Sequence, residues 1–114
     1  MGLVFSEGTL PDQYKQMGGV AAVSEKCYGV KNLEMLLFKQ VGHYLYDNPD
    51  MGRMMYELLG EYFEAYEVGK DRSVLWNGTL QSYNTKSFDC NNESDVQLIK
   101  HFEQQFISSL EQKD

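Results

Sequence analysis

Basic residues are scarce in this chain. Ten Lys and Arg stand against seventeen Asp and Glu in 114 residues, a formal charge of −7. That deficit argues against a nucleic-acid partner, whose phosphates need a basic face. It argues equally against an anionic membrane surface. Long apolar runs are missing too, because charges cut the apolar stretches every three or four residues, so no transmembrane helix is expected. The start Met1–Ser6 has no basic region and no long apolar run, so it does not read as a signal peptide. A cytosolic protein and a mature secreted domain would both look like this. The same residues match the short myristoylation pattern at Gly2 and Ser6, which often matches by chance.

Local catalytic signatures are absent as well. There is no HExxH, no calcium loop and no CxxC, and Gly18-Gly19 lacks the spacing and the lysine of a phosphate loop. His43 and His101 lie in no motif. No catalytic residue, metal or cofactor is therefore expected. A small hydrolase using Cys27 with one of these histidines, or a pair of carboxylates, is the competing class. The sequons at Asn77 and Asn92 matter only in a glycosylating host.

The chain does carry 42% hydrophobic and 13% aromatic residues, enough for one ordinary globular domain spanning 1–114. Residues 1–10 read as an extended segment. Thr9 caps a helix with Pro11 and Asp12 in its first turn, running to about Cys27 and closed by Gly29. Leu33, Leu36, Leu37, Val41, Tyr44 and Leu45 recur at helical steps, predicting a helix from Asn32 to about Tyr46. Asn48-Pro49 breaks it. Met51, Met54, Met55, Leu58, Leu59, Tyr62, Phe63 and Tyr66 give the next helix, 49 to about 68, a wide apolar face, with Gly69 as its stop. The methionines read as core filler. The last helix is capped by Asn92 or Ser94, the latter in a capping box with Gln97. Its stripe is Val96, Ile99, Phe102, Phe106 and Leu110. Residues 72–88 read two ways. Asn77-Gly78 favours a type I′ hairpin, near 74–82. Trp76, Leu80 and Tyr83 share a helical face, and a short helix is the preferred reading. The expected fold is an all-α bundle of four to five helices.

Cys27 and Cys90 stand 63 positions apart. Two buried thiols, a zinc site with His43 and His101, and a structural disulfide compete. None of the four has zinc-ligand spacing. Cys90 sits in the polar loop Asp89-Cys90-Asn91-Asn92, and a loop cysteine is most simply explained by a bond to another element. Such a bond would contribute about 4 kcal/mol by loop entropy and would indicate an oxidising compartment.

One charge pattern rises above background. Asp47, Asp50, Glu57, Glu61, Glu64 and Glu67 face the single base Arg53, so this segment holds −5 of the total −7. Glu57, Glu61 and Glu64 line one helix face with no lysine at i+4. The bland reading is a solvated face. The sharper one is a recognition stripe for a basic groove, with Tyr56 as aromatic anchor. The loop at Trp76 and Asn77 is a competing binding tip.

With Cys27 ending one helix and Cys90 preceding the last in a short acidic chain, the sequence resembles the periplasmic immunity proteins of type VI secretion systems. Phe88-Asp89-Cys90 and the helix from Asp95 to Leu110 are similar to the closing portion of such chains. The resemblance implies a non-enzymatic protein, often a homodimer, in the periplasm after removal of an export signal. It would occlude the cleft of a peptidoglycan-cleaving toxin, lysozyme-like or amidase. The low alanine content and the Asn-Gly element depart from many members of the group. Pilotins, which bind a secretin segment in an apolar groove, and periplasmic chaperones are the alternatives.

Overall fold

In the computed structural model, residues 9–28 and 32–111 are described. The expected extended start, the Gly29 stop and the Gly2 and Ser6 pattern lie outside them, apart from Thr9 and Leu10. The elements are α1 (Leu10–Tyr28), α2 (Asn32–Asp47), α3 (Gly52–Arg72), a small hairpin of β1 (Trp76–Asn77) and β2 (Ser82–Tyr83), and α4 (Glu93–Glu111).

α1 opens on a reciprocal cap. The Thr9 amide donates to Asp12 Oδ2 at 3.0 Å, and the Asp12 amide donates back to the Thr9 hydroxyl at 3.4 Å. Between α2 and α3, Pro49–Met51 forms a single 3₁₀ turn, because Pro49 supplies no amide to continue α2. α3 passes the expected stop at Gly69 and ends at Arg72. Its cap is Ser73, in the left-handed region at φ 58°, whose amide donates to the Gly69 carbonyl. Gly69 serves packing instead. A Cβ there would meet the Ala22 Cβ at 3.1 Å and the Gly19 Cα at 3.2 Å.

That contact belongs to a seam of small residues where α1 crosses α3. Gly18 is its tightest point, since a Cβ added there would lie 2.1 Å from the Tyr62 carbonyl oxygen. Glycine at 18, 19 and 69 lets the two helix backbones meet, while Val20, Val23, Leu58 and Tyr62 fill the space beside them. Leu33, Leu37 and Val41 of α2 and Ile99 and Phe106 of α4 complete the core. Of the methionines that open α3, Met55 is buried and Met51 and Met54 are half-buried.

Beyond Arg72, which ends α3, the segment 72–88 contains no helix. β1 and β2 pair antiparallel, Trp76 opposite Tyr83 and Asn77 opposite Ser82. The turn is not a two-residue I′ turn either: four residues separate the strands. Asn77 Oδ1 accepts the amides of Thr79 and Leu80, both at 2.9 Å, and Gln81 takes the positive φ of 54°. The Trp76 and Tyr83 rings meet edge to face at 5.0 Å. At α4 the cap is Asn92, whose Oδ1 accepts the Asp95 amide at 3.1 Å. Cys27 and Cys90 form a disulfide that ties the end of α1 to the loop before α4. The free-thiol and zinc readings, and any nucleophilic use of Cys27, fall with it.

Candidate functional site

The residues expected to form the binding stripe separate into three groups. Glu61 and Glu64 converge on Lys15 of α1, whose Nζ lies 3.2 and 3.3 Å from their carboxylates. The same ammonium sits 4.7 Å from the Trp76 ring centre and 5.9 Å from that of Tyr83. Burial works against its charge, but Glu61, Tyr83 and Glu64 outweigh that and hold the Lys15 pKa above its ordinary value. These two glutamates thus fasten α3 to α1 and the hairpin.

Trp76 and Asn77 are also engaged within the fold. The Trp76 indole N–H donates to Asp12 Oδ1 at 2.9 Å, and the Gln81 amide donates to both Asp12 oxygens at 3.1 Å. Asn77 organises the turn. Burial pushes the Asp12 carboxyl up, yet the donors Thr9, Trp76 and Gln81 together bring it below the usual range. Asp12 and Lys15 are the hub residues that sequence reasoning passed over. The Thr9-x-x-Asp12 spacing is a capping-box signal that would have marked the first; the second depends on a contact 46 and more positions away.

Tyr56 and Glu57 remain in solvent. Tyr56 is 80% exposed, and it heads a stripe on α3 that continues through Gly60 to Phe63. α2 presents a matching stripe, Met35, Phe38, Gly42 and Tyr46, with Met35 at 68% and Tyr46 at 86% exposure. The stripes join where the Phe38 and Phe63 rings approach to 5.8 Å. In each helix a glycine sits among exposed aromatics, and nothing lies within 4 Å of where its Cβ would be. A mid-helix glycine disfavours the helix by about 1 kcal/mol relative to alanine. No contact inside the described fold calls for either one. Glu57, Glu64 and Glu67 flank this face on α3. Tyr62 lies beneath it, fully buried, with its hydroxyl donating to Glu34 at 3.1 Å, and the Tyr66 hydroxyl donates to Glu25. Burial, then the neighbouring glutamates, push both phenols well above their ordinary pKa, so they remain protonated donors.

One further perturbed group is internal. Glu103 is 6% exposed, and its Oε2 has no hydrogen-bond partner. Burial raises its pKa, while the nearby Ser24 hydroxyl acts in the opposite sense. Its position four residues after Ile99 put it within reach of the apolar stripe. Among the described residues no group of three or more His, Cys, Asp or Glu is placed to hold a metal ion. No described helix is long and apolar enough to cross a membrane.

No family model matches the chain, and no curated protein or solved structure matches it.

Proposed function

We propose that this chain is a non-enzymatic binding protein that covers the cleft of a basic, peptidoglycan-cleaving toxin in an oxidising compartment such as the periplasm. The α2–α3 face carries the reading. Its paired stripes expose aromatic anchors around two glycines that leave room for a partner's backbone or side chain. Exposed apolar patches mark interaction surfaces, and tyrosine is enriched where binding energy concentrates. The carboxylate rim favours a basic partner and disfavours a second copy of this acidic chain. The disulfide is compatible with an oxidising compartment.

The test uses a peptidoglycan hydrolase encoded beside this chain. Added in equimolar amount, the chain should stop that enzyme clearing a peptidoglycan suspension. Tyr56→Ala with Phe63→Ala should abolish the protection, and Glu57→Lys should slow association in a salt-dependent way. Glu57 is the cleaner charge probe, since reversing Glu61 or Glu64 also sets a lysine against Lys15. Undiminished clearing, or turnover of a substrate by the chain itself, would refute the proposal.

A further inference from the structure

Residues of all four helices line a cavity of about 250 Å³ beside the first turns of α1. Leu10 and Tyr14 enter from α1, Val41 and Tyr44 from α2, Met54 from α3 and Leu110 from α4. We infer that this cavity is a binding site for a medium-chain alkyl group carrying an uncharged polar head.

Three observations define the ligand. The walls are largely aliphatic, with methionine side chains that adapt to flexible chains. A 150 Å³ cavity of this character holds benzene, about 25 Å³ per carbon, so this one takes a chain of about eight to ten carbons. The polar groups are two phenols. Tyr14 is half-buried and Tyr44 is 40% exposed, so one sits deeper and one at the mouth. Burial, then the neighbouring Tyr44, raise the Tyr14 pKa, which keeps its hydroxyl a proton donor. Neither hydroxyl has a hydrogen-bond partner among the described residues. An apolar pocket with a few convergent polar groups is the usual form of a small-molecule site. The head is uncharged because the wall offers phenols, with no ammonium or guanidinium, in a protein of charge −7. Gln40 itself donates to the Leu110 carbonyl at 2.9 Å and so fixes the wall between α2 and α4.

The experiment titrates the full chain with decan-1-ol and follows the methionine methyl resonances by carbon–proton NMR. Saturable shifts at Met54 and Met55, with Met35 unmoved, are expected. The double variant Tyr14→Phe, Tyr44→Phe should bind decan-1-ol about tenfold more weakly while binding decane equally well, because only the alcohol loses hydrogen bonds. Decanoate should bind more weakly than the alcohol. Leu110→Trp, in the last turn of α4, should block the cavity; the Tyr-to-Phe pair keeps the test open if that variant misfolds. Shifts spread over all methionines, no saturation up to the solubility of decan-1-ol, or equal alcohol affinity in the Tyr-to-Phe pair would overturn the inference.

Discussion

Replacing Gly18 by alanine adds one methyl group and should destabilise the protein, although alanine is the better helix former. The new Cβ would sit 2.1 Å from the Tyr62 carbonyl oxygen, 3.0 Å from its carbon and 3.1 Å from the Tyr66 nitrogen. Favourable contacts between such atoms lie at about 3.5–4.0 Å, so α1 and α3 must part by about 1 Å or more. The obstructing atoms are backbone, which cannot swing aside as a side chain would. Parting also loosens the rest of the seam, where Gly69 rests on Gly19 and Ala22. Helix propensity returns about 1 kcal/mol. Overpacking against rigid structure costs about 1–3 kcal/mol, and a clash this deep belongs at or beyond the upper end. A net loss of about 2 kcal/mol is expected. The controls are Gly42→Ala and Gly60→Ala, with open space at both positions, which should each gain about 0.5–1 kcal/mol. Urea unfolding of the oxidised proteins, followed by circular dichroism, compares the midpoints at constant slope. A Gly18→Ala midpoint at or above that of the parent would refute the close-crossing argument. If the exposed glycines serve a partner, Gly60→Ala should raise stability and lower partner affinity in the same molecule.

Replacing both Cys27 and Cys90 by serine should lower stability by about 2–5 kcal/mol, read from the same urea curves. Asp12→Ala leaves the Trp76 and Gln81 donors unpaired and should cost about 1–3 kcal/mol, with a change in Trp76 fluorescence. The folded pKa of Asp12 lies below its ordinary value, so its contribution is full above that range and is lost as pH falls through the folded pKa. Glu103 has the opposite sign: its folded pKa is raised, so the native state holds the extra proton and stability falls as pH rises from the ordinary Glu range through the folded value. Glu103→Gln should remove that slope, measured by urea midpoints from the ordinary Glu range upward; an unchanged slope would show that Glu103 is solvated.

The helices were legible because their signals are local. Leu33, Leu37 and Val41 repeat at helical steps and are all buried, and Asn48-Pro49 ended α2 within a residue of where it stops. Phe63 belongs to the predicted face of α3 but is 43% exposed, and Phe38, outside the predicted face of α2, is 40% exposed; periodicity does not say which edge of a face a neighbouring helix will cover. By local propensity Gly18-Gly19 is only a weakness in α1, since a glycine pair lowers helix propensity whatever lies opposite it. Its use depends on Tyr62 and Gly69, more than forty positions on, which no local pattern reports. The 72–88 segment was misjudged because Trp76, Leu80 and Tyr83 satisfy a helical period by spacing alone. Asn77 capturing the two turn amides, and Asp12 capturing Trp76, decide for the hairpin.

The acidic segment shows how far charge can be read along a chain. Six carboxylates and one guanidinium are a fact of sequence, and the missing i+4 lysine marked them as unpaired within α3. The fold brings in Lys15 from α1, and this one ammonium divides the stripe. Glu61 and Glu64, toward α1, become part of the contact among two helices and the hairpin. Glu57 and Glu67 make no such pair and stay in solvent near the Tyr56–Phe63 face. Glu64 is 63% exposed at its side chain, so solvent screens its pair with the half-buried Lys15, which contributes about 1 kcal/mol or less. In the proposed complex a carboxylate rim beside exposed aromatics would act on association, drawing in a basic surface and repelling another acidic one. The charge that looked like one recognition stripe thus divides into the carboxylates that Lys15 reaches and those that it does not.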